Sequence, residues 1–298
     1  MIIHYEGVEN IEKRSINEFE YLRAKYKNIA FNHCTWDGIP NDRNHGKNIL
    51  LSTEGYITMP DNYNIDVIKQ YDAYITYNSK LKLQNPDLNI FLIKGPLNCC
   101  DYYCLEDFKD FDNKIRGIMS MQTVYNTGRD GDINYLKHKV MKELEVEPHL
   151  ITHTYGPAPF GKDGTYQGST GKTHSHFENL KIINKYLFCW CPEPMYHPLW
   201  SYDYITERLF NCFKSKTIAI YYGCYNVEEH IPDNIFIDYR KFESIKHLSE
   251  FLITLSNDKK RYIDIVESAY EWNLTNTFGV VRYNEPILVN VAEKYPFT

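Results

Sequence analysis

The chain has 298 residues, of which 43% are hydrophobic and 24% charged, a composition typical of a globular protein and unlike that of a disordered one. Its net charge of −6 gives no general attraction to nucleic acid or to an anionic membrane, so we expect neither as a partner. No run of about 18 apolar residues and no signal-peptide pattern is present, which predicts a protein without a transmembrane segment and with a cytoplasmic location, unless an anchor lies outside this sequence.

Short apolar segments alternate with segments of helical periodicity along the whole chain. The apolar segments predict strands at 27–34, 47–53, 71–78, 88–95, 114–122, 149–156, 185–192, 216–223 and 234–240. Helices are predicted at 17–26, 131–145, 244–257 and 259–272, and a further helix begins near Asp203. Strands that alternate with helices form βαβ units, so the fold class is α/β with parallel sheets.

A charge-rich segment at 104–114 divides these elements into two groups. We therefore predict two Rossmann-like domains that face each other across a cleft, with limits at 1–110 and 111–275. Ligands of such domains bind at the carboxyl ends of the strands, and a cleft between two domains is the natural site. The tail at 276–298 is predicted either to cross back to the first domain or to form a closing strand.

The helix at 131–145 follows the sequence "RDGD". Asp130 and Asp132 could hold a divalent ion, but an Asp-Gly-Asp turn ahead of a helix is the favoured interpretation. The helix carries an apolar stripe that predicts its buried face, formed by Ile133, Leu136, Val140 and Leu144.

Two further patterns carry little functional information. "GSTGKT" at 168–173 resembles a P-loop, but Tyr166 stands where the motif requires glycine, so a flexible loop is predicted. The cysteines form no C-x-x-C pair, which favours buried reduced thiols over a metal site, although Cys189 and Cys191 share one face of a strand. The eight cysteines are Cys34, Cys99, Cys100, Cys104, Cys189, Cys191, Cys212 and Cys224.

The stretch "DYITERLFNCFKSKTIAIYYG" at 203–223 predicts a helix that leads into a buried strand. Asp203 or Ser201 is expected to cap the helix, and Glu207 and Arg208 lie in its first turn. The positive end of the helix dipole attracts phosphate, arginine can bind phosphate through two hydrogen bonds, and glutamate can accept from ribose hydroxyls. An exposed ion pair at a helix start is the alternative, and the residues alone favour it.

The segment at 185–240 resembles the donor-binding half of the α1,3/4-fucosyltransferase family, glycosyltransferase family 10. The resemblance rests on four stretches that occur in the same order as in the family: "YLFCWCPEP", "DYITERLF", "KTIAIYYG" and "HIPDNIFID". Arg208 stands where the family has lysine, and Pro194 follows Glu193 where the family has asparagine. A looser likeness covers the strand and helix around Arg129. In the first half, "NILLSTEGYITMPDNYN" and "YDAYITYN" are similar to a family strand and turn, which would place Glu54 at the position of the proposed catalytic base.

The resemblance implies a two-domain GT-B fold, a GDP-fucose donor and an inverting single displacement with no essential metal and no further cofactor. It implies that Glu54 is the base and that Glu207 binds the ribose. The leaving diphosphate would be held by Arg129, Lys162 and Arg208, and the donor pocket would be lined by Glu193, Tyr204 and Thr206.

The acceptor, a glycan, is expected to bind the first domain. The loop at 33–46 follows the first strand and contains Trp36, which could stack on a sugar, and Asp37 and Asp42, which could accept from hydroxyls. A solvent-facing loop is an equal alternative for this segment. Two other functions stay open: the same fold with another nucleotide sugar, such as UDP-xylose, and a non-catalytic module that binds nucleotides or glycans.

Overall fold

The computed structural model describes residues 29–33, 47–52, 54–93, 108–121, 126–156, 165–168 and 176–294. The first half contains a four-stranded parallel sheet in the order β1-β2-β3-β4. Its strands are β1 (Ile29–His33), β2 (Lys47–Ser52), β3 (Ala73–Thr76) and β4 (Ile90–Leu92). Two short helices follow β2 and β3, namely α1 (Ile65–Ile68) and α2 (Ser79–Gln84).

The second half contains a five-stranded sheet in the order β6-β5-β7-β8-β9, in which every pairing is parallel. Its strands are β5 (Ile115–Met121), β6 (Ile151–Tyr155), β7 (Tyr186–Trp190), β8 (Ile218–Tyr221) and β9 (Ile237–Asp238). Strands β7 and β8 are buried throughout, as continuous apolar strands covered on both faces should be. All nine predicted strands are therefore confirmed.

Helices cover both faces of the second sheet. They are α3 (Asn134–Leu144), α4 (His176–Ile183), α5 (Glu207–Lys214), α6 (Ile245–Asn257) and α7 (Lys259–Lys294). One face packs against α5 through Leu209 and Phe213, and the opposite face packs against α3 and α6 through Val140 and Leu252. Four cysteines of this half are buried thiols, as predicted: Cys189, Cys191, Cys212 and Cys224. The other four cysteines and the helix predicted at 17–26 lie outside the described residues.

Helix α5 begins later than the sequence predicts. Its N-cap is Thr206, whose hydroxyl accepts from the backbone N–H of Arg208, and not Asp203 or Ser201. Asp203 has a φ of 62°, a left-handed backbone conformation that cannot be part of a right-handed helix. The prediction that Glu207 and Arg208 occupy the first helical turn is confirmed.

The buried face of α3 is wider than the predicted apolar stripe. Ile133, Val140 and Leu144 are buried as predicted, whereas Leu136 is only partly buried. Asn134 and Lys137 are buried in addition, on the side where the Asn134 side chain donates to the carbonyl oxygen of Pro194 at 3.4 Å. Residues three apart share one helix face, so the two polar side chains lie on the same side of α3.

The C-terminal segment is helical where the structure describes it. Helix α7 continues to Lys294, so the alternative of a closing strand is wrong. It lies beside β4 of the first sheet. The domain limits at 1–110 and 111–275 and a tail that crosses back from 276 onward stay predictions. Within the described ranges, no helix combines the length and the apolar character needed to cross a bilayer.

A loop of the second half joins the two sheets. Met195 and Tyr204 pack into the core of the first sheet, and the Trp200 ring stacks on Tyr56 with centroids 4.7 Å apart. The Leu199 carbonyl accepts from the side chain of Asn78 at 2.8 Å. We call residues 194–204 the joining loop, since it fixes the first sheet next to the carboxyl end of the second.

Candidate functional site

The second sheet has a topological switch point at β5. Strand β6 lies on one side of β5, and the next strand in the chain, β7, lies on the other side. Parallel sheets bind ligands outside the carboxyl ends of their strands at such a point. The segments that leave β5 and β7 at this edge carry two predicted site residues, Arg129 and Glu193.

Glu193 is fully buried and organises the start of α5. Its Oε1 accepts from the backbone N–H of Thr206 at 2.7 Å and from the Tyr221 hydroxyl at 3.3 Å. Its Oε2 accepts from the Thr206 hydroxyl at 2.9 Å and from Arg208 Nη1 at 3.1 Å. These four bonds fill the acceptor capacity of a carboxylate, so Glu193 positions Thr206 and Arg208 and has no lone pair left for a ligand.

Arg208 connects this buried network to the cleft. Its side chain is 33% exposed, and its Nη1 donates to Glu193 and, at 3.2 Å, to the Thr206 hydroxyl. Burial lowers the pKa of Arg208, but the carboxylates of Glu207 and Glu193 outweigh that effect and raise it, so the guanidinium stays charged. Within the described part of the chain, Nη2 and Nε have no protein acceptor. These donors, next to the N-terminus of α5, suit an anionic ligand.

Gly223 allows Glu193 to occupy its position. A Cβ atom added at Gly223 would lie 2.3 Å from Glu193 Cγ, a distance that no real contact permits. The Glu193 backbone N–H also donates to the carbonyl of Tyr222 at 2.8 Å. Gly223, just after β8, therefore leaves the space that the Glu193 side chain occupies. The sequence patterns did not predict this role.

Glu54 follows β2 and approaches the same place from the first sheet. A Cβ at the adjacent Gly55 would lie 3.1 Å from Tyr204 Cζ, so this turn passes close to the joining loop. Burial raises the pKa of Tyr204, and the charges of Glu193 and Glu54 raise it further. The Tyr204 phenol therefore lies within electrostatic range of both carboxylates, Glu193 of the second half and Glu54 of the first.

Arg129 also links the two halves. It is exposed, and its Nη1 donates to the carbonyl oxygen of Ile57 at 2.8 Å, in the segment that follows Glu54. The structure describes seven of the predicted site residues: Glu54, Arg129, Glu193, Tyr204, Thr206, Glu207 and Arg208. Glu193, Tyr204, Thr206, Glu207 and Arg208 lie at the start of α5, and Glu54 and the Ile57 contact of Arg129 lie in one segment of the first half. The predicted residues Trp36, Asp37, Asp42 and Lys162 lie outside the described residues.

Asp132 forms the predicted turn. Its Oδ2 accepts from the N–H and the hydroxyl of Thr127 at 2.6 Å each, and its Oδ1 accepts from the N–H and the side chain of Asn134 at 2.8 Å each. Burial raises the pKa of Asp132, but these bonds outweigh it and lower the pKa. All four acceptor positions are filled, which leaves no lone pair of Asp132 for a cation. The neighbouring Asp130 pairs with His197 Nε2 at 3.2 Å.

Lys137 is a site residue that sequence reasoning missed. It lies on α3, one turn beyond Asn134, and is only 2% exposed. Burial and, to a smaller extent, the charge of Arg208 lower its pKa to about 7, against the opposing effect of Glu193 and Asp132. These influences place the Lys137 ammonium group in the same electrostatic neighbourhood as Arg208. The available signal was weak, since a lysine beside an apolar stripe normally faces solvent.

Comparison with known proteins identifies the family. Residues 132–285, just over half of the chain, match the family described as Glycosyltransferase family 10 (fucosyltransferase) C-term. The 4-galactosyl-N-acetylglucosaminide 3-alpha-L-fucosyltransferase 9 of Bos taurus is 28% identical over 148 residues, which are 47% of this chain and 34% of that protein. The chain thus spans about a third of the length of this relative.

Solved structures show the same fold at low sequence identity. A crystal structure of alpha1,3-fucosyltransferase with GDP aligns with a TM-score of 0.57 and 13% identity, over 95% of this chain and 88% of the other. One with GDP-fucose gives a TM-score of 0.53 and 15% identity, over 96% and 88%. The predicted GT-B fold with two parallel sheets is therefore confirmed. Together with the sequence match, this places the chain in glycosyltransferase family 10, the fucosyltransferase family.

Proposed function

We propose that this protein transfers L-fucose from GDP-fucose to a glycan hydroxyl, with inversion, in a single displacement that requires no metal. The observation that carries the proposal is the buried Glu193 network, which holds Thr206 and Arg208 at the start of α5. The neighbouring Tyr204 is affected by the charges of both Glu193 and Glu54. Arg208 would supply a fixed cation next to the N-terminus of α5, and Glu54 would supply a carboxylate from the first half.

A glycosyl transfer of this kind makes three demands that these residues can meet. A base must take the proton of the acceptor hydroxyl as it attacks the anomeric carbon, and we assign this role to Glu54. The transition state resembles an oxocarbenium ion, and negative charge grows on the leaving diphosphate. Arg208, Arg129 and the start of α5 would stabilise that charge, with Lys162 as a further candidate, and Glu207 would bind the ribose.

The choice of donor rests on family membership. Relatives in the family carry fucosyltransferase names, and solved structures of the same fold contain GDP or GDP-fucose. The acceptor is proposed to be a glycan that contacts Trp36, Asp37 and Asp42 of the first half. A cytoplasmic location also stays a prediction.

A second candidate is the same reaction with another nucleotide sugar, such as UDP-xylose. It is favoured by Pro194, which replaces the family asparagine directly after Glu193 and cannot supply the amide side chain of that residue. Contacts that this asparagine makes with the nucleobase or with the sugar in a relative would be absent here.

A donor panel tests the proposal. The purified chain would be incubated with GDP-fucose, other GDP-sugars and UDP-sugars, each with and without a mixed glycan acceptor, while nucleotide release is measured. We expect release from GDP-fucose that increases with acceptor. Release from a UDP-sugar alone would establish the second candidate, and tight donor binding with no release from any donor would indicate a non-catalytic binding module.

A further inference from the structure

The backbone carbonyl of Glu54 is the meeting point of a buried hydrogen-bond network. The Tyr63 hydroxyl donates to this oxygen at 2.8 Å, and the Ser52 hydroxyl donates to it at 3.4 Å. Ser52 in turn accepts from the side chain of Asn62 at 2.9 Å. Ser52 and Asn62 are fully buried, and Tyr63 is 3% exposed. A carbonyl oxygen has two lone pairs, so the two hydroxyls fill its acceptor positions.

The Tyr63 hydroxyl has only one proton, which determines the direction of its second hydrogen bond. Because that proton goes to the Glu54 carbonyl, the Tyr63 oxygen must accept from the neighbouring hydroxyl of Tyr77. Burial raises the pKa of Tyr77, so this phenol keeps the proton that it donates. The order of donation is therefore Tyr77 to Tyr63, and Tyr63 to the carbonyl oxygen of Glu54.

The ring of Tyr63 is held by aromatic residues of both halves of the molecule. It meets the Tyr56 ring edge to face at a centroid distance of 5.9 Å, and the Trp200 ring of the joining loop edge to face at 5.8 Å. Aromatic pairs prefer this arrangement. The hydroxyl that reaches Glu54 is thus aimed by the packing of its ring as well as by its own hydrogen bond.

This network exceeds what the turn at Glu54 needs, since one hydrogen bond satisfies a buried carbonyl group. A carbonyl group held by two hydroxyls limits rotation about ψ of Glu54, and with it the movement of the side chain that the same Cα carries. Such control matters for a general base, which must lie within hydrogen-bond reach of the proton that it takes. A displacement of about 1 Å can lower the rate of an enzyme by about 100-fold.

We propose that Tyr63 is a positioning residue for the reaction, which acts through Glu54 by holding the backbone of the proposed base in place. This inference rests on the proposed function, since it takes Glu54 to be the base. Ser52 has the same role through a longer hydrogen bond, and Tyr77 fixes the hydroxyl of Tyr63. The role requires no contact between these three side chains and either substrate.

The test removes the hydroxyl group in Tyr63→Phe and keeps the ring. GDP release from GDP-fucose would be measured with the mixed glycan acceptor. We expect kcat to fall by about tenfold, because the base is held less firmly, while KM for GDP-fucose stays within about twofold. Tyr56→Phe is the matched control, because it also loses a hydroxyl and keeps a ring that packs against Tyr63. It should change neither quantity.

A double variant provides a readout that a merely structural role would not give. If Tyr63 acts through Glu54, its hydroxyl is of no further use once the base is gone. The variant that combines Tyr63→Phe with Glu54→Gln should therefore be no slower than Glu54→Gln alone. A further fall of about tenfold in the double variant would show that Tyr63 acts independently of Glu54, and would overturn the inference.

The remaining outcomes separate the inference from the proposed function. A normal kcat in Tyr63→Phe beside a slow Glu54→Gln variant overturns the inference and leaves the proposed function intact. A normal rate in Glu54→Gln, or no release from any donor by the wild type, overturns the proposed role of Glu54 and the inference with it. Equal losses of kcat and GDP-fucose affinity in Tyr63→Phe indicate a structural role and also overturn it.

If Tyr63→Phe does not fold, Ser52→Ala decides by the same measurements. Its hydrogen bond to the Glu54 carbonyl is longer, so we expect a smaller fall in kcat, of about threefold, with KM unchanged. An unchanged kcat in Ser52→Ala would then overturn the inference.

Discussion

At the scale of single residues, Glu54 carries the proposed chemistry. Glu54→Gln removes the base but keeps the size and polarity of the side chain. We expect the rate of fucose transfer to fall by about 100-fold or more, while the affinity for GDP-fucose stays within twofold. Initial rates and calorimetric titration measure the two quantities, and Asp61→Asn, an exposed carboxylate of the same segment, is the control. An unchanged rate would exclude Glu54 as the base.

Glu193 should be important for stability as well as for binding. Removing it in Glu193→Ala leaves Arg208 and the Thr206 donors without their acceptor inside the protein. We expect a loss of about 3 kcal/mol in the free energy of unfolding, measured by urea denaturation, since breaking a buried ion pair is strongly destabilising. Glu178→Ala is the control, because Glu178 is 55% exposed and its pair with Lys181 lies on the surface. Similar losses in both variants would contradict this account.

Under the proposed function, the lowered pKa of Lys137 predicts that donor binding next to Arg208 depends on pH. Burial lowers this pKa to about 7, so the ammonium group is largely neutral above pH 8 in the free protein. The affinity for GDP-fucose, whose diphosphate is a diester without a proton to lose in this range, should fall between pH 6 and pH 8. The charges that act on the pKa of Lys137 are those of Asp132, Glu193 and Arg208. Titrations should show a flatter pH dependence in the variant Lys137→Met, and an equally steep one would point to another group.

At the scale of elements, the joining loop fixes the two sheets through Asp203. Its Oδ2 accepts from the N–H and the hydroxyl of Ser79 at 3.0 and 2.5 Å, and its Oδ1 pairs with His230 at 2.7 Å. Burial raises the pKa of Asp203, but hydrogen bonds from His230, Asn226 and Ser79 outweigh it and lower the pKa to about 2. A capping role was expected for Asp203, and the structure replaces it with a bond between the two halves of the molecule.

This pKa gives a stability prediction with a definite sign. The folded value lies below the ordinary value of 3.8, so the carboxylate contributes stability at pH values above about 4, and this contribution is lost as the pH falls toward 2. It amounts to about 2 kcal/mol at neutral pH. Denaturation at pH 6 and at pH 2.5 should show that Asp203→Asn destabilises the protein at pH 6 and has a much smaller effect at pH 2.5. An equal effect at both pH values would contradict the assignment.

The sequence predicts elements better than it predicts their contacts. All nine strands follow from apolar runs, because buried parallel strands have a composition that helices and loops do not share. The burial of Asn134 on α3 was not predictable, since its side chain contacts Pro194, which lies 60 residues away in the sequence. The late start of α5 has a similar cause: Glu193, distant in sequence, selects Thr206 as the cap.

The predictions of the site residues also succeed where the signal is local and fail where it depends on contacts between distant residues. Glu207 and Arg208 were found because a charged pair in a helix start has a local signature and a family counterpart. Lys137, Gly223 and the link between Asp203 and Ser79 have none, because their roles come from neighbours that only the fold brings together. For the same reason Glu193, predicted to line the donor pocket, is found to position other residues with both oxygens occupied.

At the scale of the whole molecule, the joining loop holds the two sheets next to each other, and the proposed function places the donor between Glu54 and Arg208. The central claim is that this proposed site binds a guanosine diphosphate sugar. Ligand that binds the folded state alone raises the melting temperature by mass action, so thermal unfolding reports binding directly.

Thermal unfolding with GDP-fucose, GDP and guanosine, against UDP, UDP-xylose and uridine, therefore tests the account most directly. At a ligand concentration about 100 times the dissociation constant, the stabilisation is about 2.7 kcal/mol, which corresponds to several degrees. We predict a rise of this size with GDP-fucose and with GDP, a small rise with guanosine, and none with the uridine compounds. Stabilisation by UDP and UDP-xylose but not by GDP would contradict the assignment of the donor.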